Sequence, residues 1–181
     1  GLLSGGLTKS ANIVGATMKL NPHGDAAIYE TMVRLTRGHE ALLHPLVESK
    51  GSFGKHYSSD MKYAASRYTE CKLAPICTEL FSSIDKDAVD MVDNYDGTME
   101  EPVLLPTTFP NVLVMPNTGI AVGMASNTCS FNLGEVCDGA IALLKHPNLT
   151  TDKLMDIMKA PDFPGGGIIL YDREQMRNIY E

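Results

Sequence analysis

The 181-residue sequence predicts an α+β fold, because helical and extended patterns occupy different parts of the chain. Apolar residues recur at spacings of three and four in the first part, as they do on one face of a helix. From Glu101 onwards, short apolar runs punctuated by prolines indicate strands and tight turns. A strong helical pattern returns at Asn132. No stretch of the chain repeats another.

Composition places the chain among ordinary globular proteins. Hydrophobic residues make up 44% and charged residues 20% of the sequence. No apolar run approaches the ~20 residues that a membrane-spanning helix needs. The four cysteines form no Cys-x-x-Cys pair, so we expect reduced thiols, no zinc site and a cytoplasmic protein. The chain opens without Met and stops in a charged segment, so we expect a piece of a longer protein.

The net charge of −7 is unevenly distributed along the chain. Residues 1–72 contain nine Lys or Arg against six Asp or Glu, whereas residues 73–181 contain six against sixteen. A basic first part is compatible with a bound polyanion such as nucleic acid. A solvated acidic surface on an ordinary protein is the alternative interpretation of the same charges.

Two helices joined by a short turn are predicted in residues 11–20 and 26–36. The second has apolar residues at spacings of four and three. Pro22 breaks the chain between the helices, and Asp25 is the candidate N-cap of the second. A pair of this kind can lay its second helix in a DNA groove, with His23 facing phosphate. Ordinary helix packing explains the same pattern, so both interpretations stay open.

Extended segments at residues 47–49 and 64–68 follow, joined by a polar, basic connection. As paired strands they form the wing of a winged helix, with a helix continuing to about Ile84. Arg67 directly precedes Tyr68 near the base of this wing. A guanidinium favours the phenolate form of tyrosine, whose ordinary pKa is ~10, and attracts anionic targets. The pair therefore suits attack on a phosphodiester, and a tyrosine packed beneath the wing is the alternative.

The remaining chain is predicted to alternate an acidic linker, strands and helices. The linker, at residues 85–97, lacks the carboxylate spacing of a calcium loop. Asn132 and Glu135 form a candidate capping box at the start of a helix. Strands are expected in residues 103–105, 109–115, 119–125 and 168–171, and helices in residues 133–144, 150–159 and 172–181.

Seven blocks, taken together, resemble the DNA-cleaving A subunit of bacterial type IIA topoisomerases, the family of gyrase and topoisomerase IV. Each block alone is weak, whereas the ordered set is specific and covers nearly the whole chain. The blocks are KSANIVG at residues 9–15, PHGDAAIYE at 22–30, RYTE at 67–70, DNYDGT at 93–98, PNVLV at 110–114, GIAVGMA at 119–125 and APDFP at 160–164.

The resemblance implies a winged-helix domain in residues 1–95, with its N-terminal part missing, followed by the beginning of a mixed α/β tower domain in residues 96–181. Tyr68 would attack one DNA strand and form a transient 5′-phosphotyrosyl bond, which makes cleavage reversible. Arg67 would stabilise the charge that grows on the scissile phosphate.

Further site residues follow from the same resemblance. Ile120 matches an apolar wedge that enters between base pairs and bends DNA. Ala26 and Glu30 match positions that anchor quinolones through a water and metal bridge, and Ala26 should weaken that bridge because the family often has Ser there. Asn21 stands where the family usually has a histidine. The implied contacts to the DNA backbone are His23, Lys9 and Arg34.

The resemblance also implies cofactors and partners outside this chain. Mg²⁺ and ATP would be bound by the B subunit, so no metal site is expected here. Two A subunits and two B subunits would act on double-stranded DNA, associated with the nucleoid and not with a membrane. We expect the piece alone to be inactive. The alternative function is a non-catalytic winged-helix DNA-binding module.

Overall fold

The computed structural model describes residues 2–181, which contain seven helices and seven short strands joined by turns and loops. The predicted α+β class is confirmed. The chain divides into two compact units, Gly1–Thr108 and Phe109–Glu181. The predicted domain boundary lies earlier, after residue 95. None of the described helices is both long enough and apolar enough to cross a membrane.

The first unit combines three helices with a three-stranded sheet and a separate hairpin. Strand order in the sheet is β1-β3-β2, with both pairings antiparallel, and β4 pairs with β5. The elements are β1 (Thr8–Lys9), α1 (Ser10–Thr17), α2 (Asp25–Arg34), β2 (Val47–Lys50), β3 (Glu70–Leu73), α3 (Cys77–Leu80), β4 (Met91–Asp93) and β5 (Glu100–Pro102).

Helix α2 supplies three of the seven buried residues in the core cluster of this unit. Its residues Tyr29, Met32 and Val33 recur at spacings of three and four and are all buried. They pack in one cluster with residues of α1, the sheet and the connection between β2 and β3, namely Val14, Val47, Phe53 and Cys71. The predicted helix pair is confirmed, although each helix ends two or three residues earlier than expected.

The predicted N-cap of α2 is wrong. Gly24 occupies the N-cap position, with φ of 118°, and Asp25 is the first helical residue. A positive φ of this size favours glycine because it has no Cβ. Asp25 therefore contributes a carboxylate to the first turn, where it stabilises the positive end of the helix dipole, and makes no side-chain cap.

The two faces of the sheet differ in polarity. On the inner face, Cys71 of β3 lies opposite Thr8 and Ser49 and is 1% exposed. On the outer face, Glu70 lies opposite Lys9 and Lys50. Because successive side chains of a strand point to opposite faces, this alternation gives one core-facing and one solvent-facing surface.

The predicted second strand of the wing and the helix after it are both misplaced. Residues 64–68 form an extended approach and a turn, and strand pairing begins only at Glu70. The helix expected up to Ile84 is reduced to α3, Cys77–Leu80. Residues 70–73 are paired in the sheet, and the N–H groups of Leu73 and Ala74 donate to the Leu2 and Leu46 carbonyls, so no helix can include them. Pro75 has no N–H and is tolerated only at the start of a helix, and α3 begins two residues after it.

The acidic segment at residues 85–97 is not merely a solvated linker. Its second half forms β4 and the turn into β5, where Gly97 has φ of 68°. Asn94 is buried there: its Oδ1 accepts hydrogen bonds from the N–H groups of Thr98 and Met99, and its Nδ2 donates to the Lys19 carbonyl at 2.8 Å. One amide side chain thus closes the turn and ties the hairpin to the segment after α1.

The second unit contains a short helix, a hairpin and three further helices. Asn132 caps α5 and accepts from the Glu135 N–H at 3.2 Å, as the sequence predicts. Its most deeply buried apolar side chains are Val114, which is 0% exposed, and Val136 and Met155, which are each 1% exposed. The elements are α4 (Asn111–Val114), β6 (Asn117–Ala121), β7 (Met124–Thr128), α5 (Leu133–Lys145), α6 (Thr151–Ile157) and α7 (Arg173–Tyr180).

Three predicted strands of the later chain do not form as expected. Residues 109–115 contain α4 instead of a strand, and residues 103–105 follow β5 without joining it. Residues 168–171 are not paired within the described chain, and Ile168 and Leu170 are each 94% exposed. A strand depends on a partner with which it can exchange hydrogen bonds, and an apolar run alone does not supply one.

Gly54 should be far less tolerant of a side chain than Gly97. Gly54→Ala is expected to lower the free energy of unfolding by about 3 kcal/mol. The strain has two sources: φ is +72°, and the new Cβ would lie 2.6 Å from the Met61 carbonyl oxygen. Gly97→Ala shares the positive φ but meets no atom within 4 Å, so about 1 kcal/mol is expected. Equal losses in urea unfolding would contradict this close approach.

Candidate functional site

Tyr68 and Arg67 lie on an exposed turn immediately before β3. The turn is closed by the Tyr68 N–H, which donates to the Ala65 carbonyl at 2.9 Å. The Tyr68 side chain is 65% exposed, so the alternative of a tyrosine packed beneath the wing is wrong. The Arg67 Cζ atom lies 4.7 Å from the centre of the Tyr68 ring. A cation over the ring face is a favourable arrangement and keeps the guanidinium beside the phenol.

The backbone on either side of this pair holds the start of α1. The Ser10 N–H donates to the Thr69 carbonyl at 3.0 Å, and the Ala11 N–H donates to the Ser66 carbonyl at 3.2 Å. The first N–H groups of a helix have no partner within the helix. The turn that carries Arg67 and Tyr68 satisfies two of them, so the turn and α1 are positioned together.

A buried cluster of hydroxyl groups lies directly under the turn. The Tyr29 hydroxyl donates to the Ala64 carbonyl at 2.8 Å and lies 2.9 Å from Thr69 Oγ1. Thr69 Oγ1 donates to Ser10 Oγ at 2.8 Å. Ser10 and Thr69 are both fully buried, with 0% exposure. We call Ser10, Tyr29 and Thr69 the hydroxyl cluster; it joins α1, α2 and the residue that follows Tyr68.

Three charged side chains surround the start of β3 on the outer face of the sheet. Lys9 Nζ lies 3.1 Å from one carboxylate oxygen of Glu70, and Lys50 Nζ lies 3.7 Å from the other. The hydrogen bond from Lys9 is the main reason why the pKa of Glu70 is below its ordinary value, and the charge of Lys50 adds to it. Glu70 is therefore ionised at neutral pH, and Lys9, a predicted DNA contact, is already paired.

The predicted site residues in and just before α2 are all exposed. His23 precedes the helix, Arg34 ends it, and Ala26 and Glu30 are four residues apart on one face. Within residues 2–181, no hydrogen bond, ion pair or ring contact joins any of them to Arg67 or Tyr68. The structure brings together Arg67 and Tyr68, with Lys9 nearby on β1.

Tyr63 contacts the predicted inhibitor position. Its hydroxyl donates to Glu30 Oε1 at 3.2 Å, and its ring packs edge-on against Tyr29, with centroids 5.4 Å apart. Partial burial, then the neighbouring Glu30 carboxylate, raise the pKa of Tyr63. The sequence analysis missed Tyr63, as it missed Ser10, Tyr29 and Thr69. The hydroxyl groups of these residues could have been noticed, but their pairing joins residues far apart in the chain.

Ile120 lies near the tip of the β6–β7 hairpin in the second unit. It pairs with Ala125, and the pair Ala121 and Met124 closes a two-residue loop in which Gly123 has φ of +79°. Ile120 is 87% exposed, so the alternative that it is a core strand residue is wrong. Val122 and Met124 are exposed as well, which gives the hairpin an apolar tip.

The described residues offer no obvious metal site. Among residues 2–181, no group of three or more His, Cys, Asp or Glu side chains is arranged to hold a metal ion. The absence of a metal site from this chain stays a prediction.

Comparison with known proteins gives consistent matches along almost the whole chain. The sequence model of the family described as the A subunit of DNA gyrase and topoisomerase IV matches residues 3–181. The A subunit of DNA topoisomerase 4 from Rickettsia conorii is 44% identical over 176 residues, covering 97% of this chain and 23% of the relative. The A subunit of DNA gyrase from Staphylococcus epidermidis is 46% identical over 174 residues, covering 96% of this chain and 19% of the relative. The A subunit of DNA topoisomerase 4 from Neisseria gonorrhoeae is 47% identical over 174 residues, covering 96% of this chain and 22% of the relative. The chain thus spans about a fifth of the length of these relatives.

Removal of the Thr69 hydroxyl should destabilise the protein more than removal of another buried threonine hydroxyl. Thr69→Val leaves the buried hydroxyls of Ser10 and Tyr29 without this partner, and a loss of about 2 to 3 kcal/mol in free energy of unfolding is expected. Thr36→Val is the matched control, because Thr36 Oγ1 donates only to the Val33 carbonyl, which the Thr36 N–H also contacts. For Thr36→Val, a loss of about 1 kcal/mol in free energy of unfolding is expected. Equal losses in denaturant titrations would contradict a connected hydroxyl cluster.

Proposed function

The chain belongs to the family of DNA gyrase and topoisomerase IV A subunits, and on that premise we propose that it is the DNA-cleaving part of a type IIA topoisomerase. The activity proposed is that of the whole enzyme, since the chain covers about a fifth of its relatives' length. This chain contributes the nucleophile and part of the DNA-binding surface.

The observation that carries this proposal is the exposed Arg67 and Tyr68 pair on a firmly held turn. Tyr68 is 65% exposed, the Arg67 guanidinium lies 4.7 Å from its ring centre, and the hydroxyl cluster anchors the next residue, Thr69. A nucleophile must reach its target yet keep a defined position. Exposure supplies the first requirement, and the buried hydrogen bonds under the turn supply the second.

The chemistry exchanges one phosphodiester for another. Tyr68 Oη attacks the scissile phosphorus, a new P–O bond to tyrosine forms, and the bond to the 3′ oxygen breaks, leaving a 5′-phosphotyrosyl bond. The phenol proton leaves Tyr68, and the departing 3′ oxygen gains a proton and becomes a 3′-hydroxyl. Arg67 stabilises the phenolate and the negative charge on the phosphate oxygens. Attack by the 3′-hydroxyl reverses the sequence and restores the DNA strand.

We assign binding of the DNA backbone to the first unit. In our proposal residues 1–95 form most of a winged-helix domain, in which α2 follows α1 and enters a groove of double-stranded DNA. His23, at the start of α2, and Arg34, at its end, contact the backbone, as does Lys9. The exposure of all three side chains supports these roles.

The second unit contributes the means of bending DNA. We assign residues 96–181 to the beginning of a tower domain and Ile120 to a wedge that enters between base pairs. An apolar side chain that is 87% exposed on a hairpin loses little on leaving its surroundings and gains by burial between bases. That exposure supports the assignment.

A quinolone site is proposed at Ala26 and Glu30 on the exposed face of α2. Ala26 has no hydroxyl with which to hold a bridging water, and the Glu30 carboxylate already accepts from Tyr63 at 3.2 Å. Both features should weaken a water and metal bridge to the drug.

The other components of the reaction are proposed to come from a B subunit. Mg²⁺ supplies charge stabilisation at the phosphate, and ATP supplies the energy for strand passage; both are assigned to that partner, and no step is assigned to them here. The complex comprises two A and two B subunits and acts on nucleoid DNA in the cytoplasm. The isolated piece is expected to be inactive.

Tyr68→Phe should abolish the covalent DNA adduct in the full-length protein when it is assembled with Mg²⁺ and its B subunit. The change removes the attacking oxygen but leaves the exposed ring in place, so DNA affinity should stay within about twofold. Adducts can be trapped with denaturant and separated on a gel with labelled DNA.

Tyr57→Phe is the matched control for this experiment. Tyr57 is 71% exposed and lies on the same unit, so loss of its hydroxyl should leave the adduct unchanged. Formation of the adduct by the Tyr68→Phe variant would contradict the assignment of Tyr68 as the nucleophile. An absence of adduct from the unaltered complex would favour a non-catalytic winged-helix module instead.

Ile120→Ala should reduce DNA bending in the same complex. The smaller side chain buries less apolar surface between the base pairs, so the bound DNA should be straighter and the adduct less abundant. Fluorescence energy transfer between the ends of a labelled duplex measures the bend. Leu144→Ala is the control, since Leu144 is 83% exposed on α5 of the same unit. Equal bending by Ile120→Ala and the unaltered protein would exclude a wedge.

A further inference from the structure

Lys9, Glu70 and Lys50 form a row across the outer face of the sheet, which we call the charged row. Glu70 of the central strand β3 lies directly opposite Lys9 of β1 and Lys50 of β2. Directly opposed residues of antiparallel strands point to the same face. The row therefore places two ammonium groups beside one carboxylate, two residues after Tyr68.

The charged row carries an excess positive charge that the next row does not. Farther along the same face, Lys72 pairs with Glu48 at 3.1 Å, one cation with one anion. In the charged row, Lys9 holds one Glu70 oxygen at 3.1 Å, which leaves Lys50 to share a carboxylate that is already paired. The excess cation thus lies at the end of the sheet that is nearest Arg67 and Tyr68.

Lys50 is the less firmly held of the two lysines. Its Nζ lies 3.7 Å from Glu70, beyond a good hydrogen bond, and its side chain is 71% exposed against 50% for Lys9. An exposed ion pair at such a distance contributes little to stability. Lys50 can therefore turn towards an external anion while the closer Lys9 and Glu70 pair stays intact.

We infer that Lys50 binds a backbone phosphate of DNA beside Tyr68, with Glu70 as the shared counter-ion of Lys9 and Lys50. This inference rests on the proposed DNA-cleaving function and adds a residue to its binding surface. A phosphodiester is the anion that the setting favours, because the row adjoins the turn that presents the nucleophile and Arg67. Glu70 limits the attraction between the charged row and DNA phosphate, since it neutralises the charge of one of the two lysines.

Salt dependence of DNA binding tests this contact. The full-length protein would be titrated against a fluorescein-labelled linear duplex in KCl from about 50 to 200 mM, because each phosphate contact adds about 0.9 to the slope of log affinity against log salt. Lys50→Gln should lower the magnitude of the slope by about 1. Glu70→Gln should bind DNA more tightly than the unaltered protein, because both lysines lose their internal partner.

Lys72→Gln is the matched control for Lys50→Gln. It removes a lysine from the same face of the same sheet, but one that Glu48 neutralises one to one, so its slope should change by less than half as much. A slope for Lys50→Gln equal to that of the unaltered protein would overturn the inference. So would equal slope changes for the Lys50 and Lys72 variants, which would indicate a general charge effect.

The covalent adduct separates this inference from the function on which it rests. Adduct formation by the unaltered complex tests the cleavage function, and the salt slope of Lys50→Gln tests the phosphate contact. If the unaltered complex forms the adduct but Lys50→Gln leaves the slope unchanged, Lys50 is not a phosphate contact and the cleavage function stands. If the slope falls but no complex forms adduct, the phosphate contact stands and the cleavage function fails.

Discussion

The buried hydroxyl cluster of Ser10, Tyr29 and Thr69 is the interaction on which the rest of the first unit depends. These residues come from α1, from α2 and from the chain just after Tyr68, and their oxygens lie 2.8 and 2.9 Å apart. A buried hydroxyl is costly without a partner, so the three elements can pack only in the arrangement that satisfies all of them. The same arrangement sets the turn over the start of α1 and leaves the Tyr68 side chain in solvent. Stability and the presentation of a nucleophile therefore follow from the same contacts.

The local charge on the sheet beside Tyr68 differs from the net charge of the whole chain. The chain carries −7 overall, yet the sheet beside Tyr68 presents three lysines and two glutamates on its outer face. Pairing at 3.1 Å neutralises Lys9 and Lys72, and it is the position of the remaining cation that matters to an approaching phosphate. Since charges farther apart than a Debye length of about 8 Å are largely screened at physiological salt, the acidic remainder of the chain need not prevent local binding of a polyanion.

Sequence patterns predict correctly those elements that are stabilised by interactions between residues close together in the chain. The Asn132 cap of α5 depends on a side chain and an N–H three residues later, and the apolar spacing of α2 depends on one turn of helix. Strands are harder to predict, because each needs a partner from elsewhere in the chain. Glu70–Leu73 resembles the start of a helix in sequence but is the central strand, since both β1 and β2 are available to pair with it. Residues 168–171 have the sequence of a strand but no partner within the described residues.

The sequence by itself determined the α+β class, the helix pair, the α5 cap and, through the ordered blocks, the family and the candidate pair Arg67 and Tyr68. It could do so because these features are written in neighbouring residues or in a linear order of motifs. Only the tertiary structure decided that Tyr68 is exposed, that Ile120 lies on the surface and not in a core, and that Lys50 shares Glu70 with Lys9. Exposure and charge pairing depend on which distant segments pack together: Lys9 and Glu70, or Tyr29 and Thr69, meet only once the sheet and helices have closed around them.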